Sequence, residues 1–190
     1  PILSGDGTQA CADCHAPSSS FTENIQFSTG IDGLPGNRNS MAIFNIAWTF
    51  NEKFFWDGRA LGAESQALGP VVNPVEMHNT WPAAVASLQS HPTYPALFNA
   101  AFGTSTIDSS LVTKAIAQFE RTLISANSKF DKFILGQATL TPSELNGLNI
   151  FSTETGDCFH CHGSPGNPLW TDNEFRNNGL DVTFSDLGLG

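Results

Sequence analysis

Positive charge, sulfur and histidine are scarce in this 190-residue sequence, and each shortage excludes something. Eight lysines and arginines stand against 18 aspartates and glutamates, a formal charge of -10. Nucleic acid and anionic membrane are poor partners for such a surface, whereas a basic protein or a small neutral molecule suits it. No stretch approaches the ~20 apolar residues of a membrane span. Methionine occurs only at Met41 and Met77, and the histidines are His15, His78, His91, His160 and His162, with none between residues 16 and 77. Strand signals are weak throughout. Hydrophobic content is 40%, ordinary for a globular chain, and the length exceeds one typical domain and allows two small ones. The first residue is Pro1, not an initiator methionine, so a processed or truncated N-terminus is expected.

Cysteine is equally scarce, but its four copies are ordered. Cys11-Ala12-Asp13-Cys14-His15 returns as Cys158-Phe159-His160-Cys161-His162, and the two copies use every cysteine present. Cys-x-x-Cys-His is the attachment signature of c-type haem. Thiols three residues apart project from one side of a single helical turn, where each can add to a haem vinyl group. The adjoining histidine is then carried under the iron. A four-cysteine zinc site would need its two knuckles roughly 15 to 20 residues apart, and a thioredoxin-like motif gives no reason for a histidine after both pairs. Two disulfides stay open as an alternative. Two covalent haems, with His15 and His162 as proximal iron ligands, are the expectation. Such attachment is completed outside the cytoplasm, so a periplasmic location is expected too.

Thr22 to Asp32 aligns without gaps onto Thr171 to Asp181, matching Thr, Asn, Gly and Asp. Both stretches follow a haem motif, which suggests a duplicated cytochrome-like unit. The second copy ends nine residues after Asp181, at Gly190, and so looks unfinished. Between the motifs, Gly33 to Asn39 is turn chemistry. Ser40 to Phe55 is apolar and aromatic enough for a core or a haem wall, and Trp56-Asp57-Gly58-Arg59 makes a tight turn. Asn73-Pro74-Val75-Glu76 reads as a helix start, with Asn as cap, Pro at the first position and Glu at the third, and Thr141-Pro142-Ser143-Glu144 repeats that grammar. Trp81 to Gln89 and Tyr94 to Phe102 are short helix candidates, and Ser109 to Phe133 carries a helical apolar period. The expectation is an all-α, loop-rich fold.

The stretches Cys11 to His15, Gly36-Asn37-Arg38-Asn39, Phe54 to Arg59, Gln66-Ala67-Leu68-Gly69-Pro70, Asn73 to Met77 and Gly156 to His162 together resemble the bacterial di-haem cytochrome c peroxidases. They resemble equally the related di-haem oxidases that modify tryptophan in methylamine dehydrogenase. The resemblance implies two cytochrome c-like domains, residues 1–126 with a peroxidatic haem and 127–190 with an electron-transfer haem. It also implies a calcium ion between them. The implied reaction is reduction of hydrogen peroxide to water, with electrons from a small cytochrome c or cupredoxin; a homodimer is one assembly open to such a protein. A di-haem oxidase of a protein or organic substrate and a non-catalytic electron carrier are the alternatives.

Carried over residue by residue, the resemblance puts the catalytic acid/base at Glu76, since splitting the O–O bond needs a group that takes a proton from one oxygen and gives it to the other. Glu76 reads equally well as a helix cap. Gln66 matches a peroxide-orienting position and Pro70 a pocket wall, where the plain readings are surface residue and turn proline. Trp56 matches a tryptophan between the haems, against the plain reading of a core aromatic beside Phe54 and Phe55. Asn39 matches a calcium ligand, against that of a turn asparagine. Two departures stand out. Many members carry an iron-ligating histidine in the loop corresponding to Phe27 to Asn37, where this chain has Ile31, so the first haem is expected to be open and high-spin even when oxidised. The sixth ligand of the second haem, a methionine or tyrosine beyond the second motif, would lie past Gly190. A longer native protein is therefore expected. His78, His91 and His160 read as surface or loop residues.

Overall fold

The computed structural model describes residues 1–177, 179–184 and 186–187; Asn178 of the second repeat copy and Gly190 lie outside the described residues. Helix dominates, and among the described residues strand is confined to one antiparallel pair of two residues each, β1 (Lys53–Phe54) and β2 (Ala60–Leu61), which agrees with the helical expectation. The helices are α1 (Cys11–Cys14), α2 (Ala63–Val72), α3 (Trp81–Ser90), α4 (Tyr94–Phe102), α5 (Ser109–Arg121), α6 (Lys129–Ile134), α7 (Pro142–Phe151) and α8 (Phe159–His162). No helix among the described residues is long and apolar enough to cross a membrane.

Local chemistry explains the starts of these helices. Thr80 Oγ1 accepts the Ala83 N–H at the head of α3 and Asp108 Oδ1 accepts that of Leu111 at the head of α5. At α7, Thr141 Oγ1 accepts from Glu144 N–H while the Glu144 carboxylate accepts from Thr141 N–H, a reciprocal cap. The core is held by two apolar clusters. Leu88, Phe98, Ile107 and Val112 join α3, α4 and α5, while Val71, Met77 and Ala84 join α2 to α3, with Leu3 and Trp81 touching both groups. α2 packs along α5, fastened by Arg121, which donates to both oxygens of Glu64 at 2.7 and 3.1 Å. No described residue beyond Ala117 is buried.

Three departures from the sequence reading have physical causes. Asn73 to Glu76 forms a tight turn and not a helix start, because the following N–H groups bond elsewhere: Met77 N–H donates to the Pro70 carbonyl and Asn79 N–H to that of Val71, on the end of α2. The helical period of Ser109 to Phe133 is split into α5 and α6. Asn45 N–H donates to the Leu123 carbonyl and Ser125 N–H to Asn45 Oδ1, which draws residues 123–125 out of any continuous helix. The helix α2 carried no periodic signal, since its buried face is Ala63, Ala67 and Val71 and it contains Pro70.

Candidate functional site

α1 is a single turn, tied down at its start where Ala10 N–H donates to the Asp13 carboxylate at 2.7 Å. It presents Cys11, Cys14 and His15 to a cavity of about 720 Å³. That volume lies within the range of cofactor sites. The loop after α1 turns back through left-handed backbone at Ser20 and Phe21, so that His15 Nδ1 lies 3.1 Å from the Phe21 carbonyl. A carbonyl only accepts, so Nδ1 carries the proton and Nε2 is left as the ligating nitrogen.

The second motif repeats this arrangement. Cys158 precedes α8, and His162 Nδ1 lies 3.0 Å from the Trp170 carbonyl, with Trp170 also in the left-handed region. Phe21 and Trp170 are the residues immediately before Thr22 and Thr171, the first positions of the aligned repeat. The two copies thus share a histidine-orienting hydrogen bond as well as a sequence. Around the second histidine, the Trp170 ring meets Phe130 and Phe151 edge-on, at 5.1 and 5.4 Å between centroids, beside an open cleft of about 510 Å³.

None of the four cysteines is in a disulfide. Cys14 is pushed up to about 11, by burial first and then by the Glu23 and Glu76 carboxylates, and Cys11 is raised by burial and by Glu120. Thiols held neutral in this way are the opposite of a low-pKa redox pair. The first cavity also contains orphaned polar atoms: Gln9 Oε1 and Ser28 Oγ are buried, belong to residues that line it, and have no hydrogen-bond partner among the described residues. At its rim, buried Asp57 accepts from Arg38 at 2.9 Å and from Arg59 at 2.8 Å. Burial alone would raise the Asp57 carboxyl, but the two guanidinium groups outweigh it and hold it low. Both guanidinium groups are paired with protein carboxylates, Arg59 with Asp57 and Arg38 with Asp57 and Asp186. Thiols, a free imidazole nitrogen and unmatched polar atoms together fit a haem.

Glu76, Gln66, Pro70 and Trp56 all line this same cavity. Glu76 accepts from Asn73 Nδ2 at 2.6 Å, while Asn73 Oδ1 accepts the Val75 N–H, so the Asn73 turn aims the carboxylate. Burial raises the proton affinity of Glu76; the Asn73 bond and the charges of Arg59 and His15 oppose this without cancelling it. The neighbouring loop docks closely on the same turn. Ile31 N–H donates to the Glu76 carbonyl at 3.0 Å, and a Cβ on Gly30 would stand 2.1 Å from the Val75 carbonyl oxygen. Gln66 has no side-chain hydrogen bond to another described residue. Pro70 lies inside α2 beside Gly69, over which the Phe55 ring packs.

Trp56 is not a core residue: it is 55% exposed, and its Nε1–H donates to the Asn39 carbonyl at 2.8 Å. Asn39 itself donates from Nδ2 to the carbonyls of Glu23 and Ile25 at 3.1 and 2.6 Å, and its Oδ1 accepts from Thr22 at 3.2 Å. His78 is exposed and paired with Asp32 at 2.6 Å, and His160 is exposed beside Glu154 and Asp157. Met41 and Met77 both line the first cavity. Sequence reasoning missed Glu120, which lines the cavity one turn beyond Ile116 and is pushed up to about 7 by burial, with Arg121 opposing. An acid continuing the apolar stripe Val112, Ile116 was the available signal.

A family profile described as di-haem cytochrome c peroxidase matches residues 1–139. Cytochrome c551 peroxidase of Nitrosomonas europaea is 38% identical over 166 residues, 87% of this chain and 48% of that protein. The methylamine utilization protein MauG of Methylorubrum extorquens is 35% identical over 194 residues, 100% of this chain and 52% of that protein. Among solved structures, a MauG-like protein associated with microbial copper homeostasis superposes with a TM-score of 0.80 at 30% identity, covering 92% of this chain and 52% of that one. The chain thus spans about half the length of the curated relatives it matches.

Proposed function

The chain belongs to the di-haem cytochrome c peroxidase family, whose members carry two haems, and on that premise we propose that it reduces hydrogen peroxide to water. In this reading Cys11 and Cys14 hold one haem c and Cys158 and Cys161 the other, with His15 and His162 as iron ligands, in units spanning residues 1–126 and 127–190. A bound haem supplies the iron that accepts peroxide and the electrons that reduce it. The protein supplies the rest.

Glu76 takes a proton from the near peroxide oxygen and returns it to the departing one. Its raised proton affinity suits both halves of that task. The side-chain amide of Gln66, without a hydrogen-bond partner among the described residues, orients the bound peroxide, and Pro70 walls the pocket. Two electrons and two protons turn one peroxide into two waters; the donor would be a small cytochrome c or cupredoxin, a haem held by His162 would receive its electrons, and Trp56 would lie on their way to the first cavity. Turning the Asn39 amide by half a rotation would free its Oδ1 as a neutral oxygen ligand for a calcium ion, with downstream carbonyls and waters as the remaining ligands. The site of action we propose is the periplasm.

The observation that carries this reading is the placement of Glu76 on the wall of the cavity that also holds Cys11, Cys14 and His15. Glu76→Gln should lower peroxide turnover with a reduced cytochrome c by about 10²- to 10⁴-fold while both haems stay attached. Unchanged turnover would refute the assignment. The MauG relatives make a di-haem oxidase the alternative; a chain that ignores reduced cytochrome c but oxidises a protein substrate with peroxide would favour it.

A further inference from the structure

The stretch from Pro168 to Phe175 touches both haem-attachment regions. On one side it is bound to the second motif: Trp170 offers its carbonyl to His162 Nδ1 at 3.0 Å, and Asp172 N–H donates to the Cys161 carbonyl at 2.9 Å. On the other side it is bound to the segment that leads into the Phe54 to Trp56 wall of the first cavity. Asn51 Nδ2 donates to the Asn173 carbonyl at 2.7 Å, and Asn173 Nδ2 donates back to Asn51 Oδ1 at 2.8 Å. Asn173 reaches this position in left-handed backbone, φ 58°, a conformation asparagine tolerates better than most residues. Thr171 Oγ1 accepts its N–H at 3.0 Å.

Asn51 is placed to pass that constraint on. Its Oδ1 also accepts the N–H of Lys53, the first residue of β1, and the β1–β2 hairpin carries Trp56 in its turn. Two residues after Asn173, the Phe175 ring lies against Gly58 in the same turn, where a Cβ would meet it at 2.5 Å, with the Lys53 ammonium 5.3 Å from its centroid. The reciprocal amide pair and the ring contact therefore bracket Trp56. From His162 to Trp56 the connection runs by hydrogen bond to Trp170, along the chain to Asn173, by hydrogen bonds to Asn51 and on to Lys53, and then along the hairpin to Trp56.

We propose that the Asn51–Asn173 pair is a positioning clasp, fixing the segment that orients His162 against the hairpin that carries Trp56 and so setting how fast electrons cross between the two haem-bearing regions. The inference rests on the two-haem reading above. Every electron supplied by the donor protein and consumed by peroxide has to make this crossing, and a small displacement of one side lengthens it. Neither asparagine lines the first cavity or the cleft beside Trp170, so the role is one of positioning.

The test uses the full holoprotein. Wild type, Asn51→Ala, Asn173→Ala and Asn173→Asp are mixed with less reductant than one electron per chain, and redistribution between the two haem bands is followed by stopped flow, alongside haem content and melting temperature. Both alanine variants should slow redistribution by roughly ten- to a hundredfold, the range that small misplacements cost, with two haems still bound. The double variant should be no slower than either single one. Asn173→Asp has the native shape, keeps the bond donated by Asn51 to the main-chain carbonyl and sets a carboxylate oxygen against Asn51 Oδ1 in place of the donated bond, so it should fold and slow the crossing at least as much as Asn173→Ala. A purely structural pair would lower the melting temperature and leave the rate at the wild-type value, which would overturn the clasp. A wild-type chain that binds fewer than two haems would overturn the reading beneath it, a distinct result.

Discussion

Two carboxylates, Glu76 and Glu120, face one cavity, and burial holds both protonated above the ordinary range for a glutamate. For Glu76 this follows from a turn that aims the side chain inward, and it matches the demand for a group that accepts and returns a proton. Glu120 has a measurable consequence for stability. Unfolded, a glutamate loses its proton near 4.5; folded, Glu120 keeps it until about 7. As pH rises between those values the unfolded state gives up a proton that the folded state retains, so folding stability falls through that window and levels off above it. Glu120→Gln should remove that slope, making the holoprotein more stable than wild type at pH 8 by about 1 to 3 kcal/mol and no more stable at pH 4. Urea unfolding at the two pH values measures this, and an equal effect at both would show that the carboxyl is not shifted. Glu120 was hard to read from sequence because an acid among surface residues of an amphipathic helix is usually solvated. Only its register with Ile116 sets it apart.

Among the elements, the Asn73 turn shows where local grammar stops being decisive. Thr141-Pro142-Ser143-Glu144 and Asn73-Pro74-Val75-Glu76 carry the same cap signals, and only the first starts a helix. The difference is tertiary: the backbone after Glu76 is taken up by the end of α2 and by the loop at Gly30 and Ile31, and no sequence period records that. Gly5 is a second close approach to this turn, since a Cβ there would stand 2.3 Å from the His78 carbonyl oxygen. Gly30→Ala should therefore cost about 1 to 3 kcal/mol through overpacking and, because the displaced atoms are the backbone of Val75 and Glu76, should lower peroxide turnover as well. Loss of stability with turnover intact would mean that the loop does not set the carboxylate. The two Cys-x-x-Cys-His motifs stand out in the sequence because the haem attachment proposed for them needs thiols and imidazole adjacent along the chain. The helices α3, α4 and α7 were legible from caps and periodicity. The clasp of Asn51 and Asn173, 122 residues apart, was not, since each asparagine alone reads as a turn residue.

At the scale of the whole molecule, protein core and cofactor cavity are unevenly divided. Among the described residues burial ends at Ala117, and past that point the chain offers aromatic rings, Phe130, Phe151 and Trp170, around an open cleft beside His162. The first region has its own apolar clusters and a walled cavity. That asymmetry is what the proposed division of labour requires, one haem over which a carboxylate can work and one that relays electrons. In the loop above the first cavity the chain has Ile31, bound to the Glu76 carbonyl, and supplies no histidine to cap the iron. The most direct measurement is an electron paramagnetic resonance spectrum of the fully oxidised holoprotein. A high-spin ferric signal from the His15 haem, present before any reduction and altered in Glu76→Gln, is the predicted result. A spectrum holding only low-spin ferric haems would contradict it.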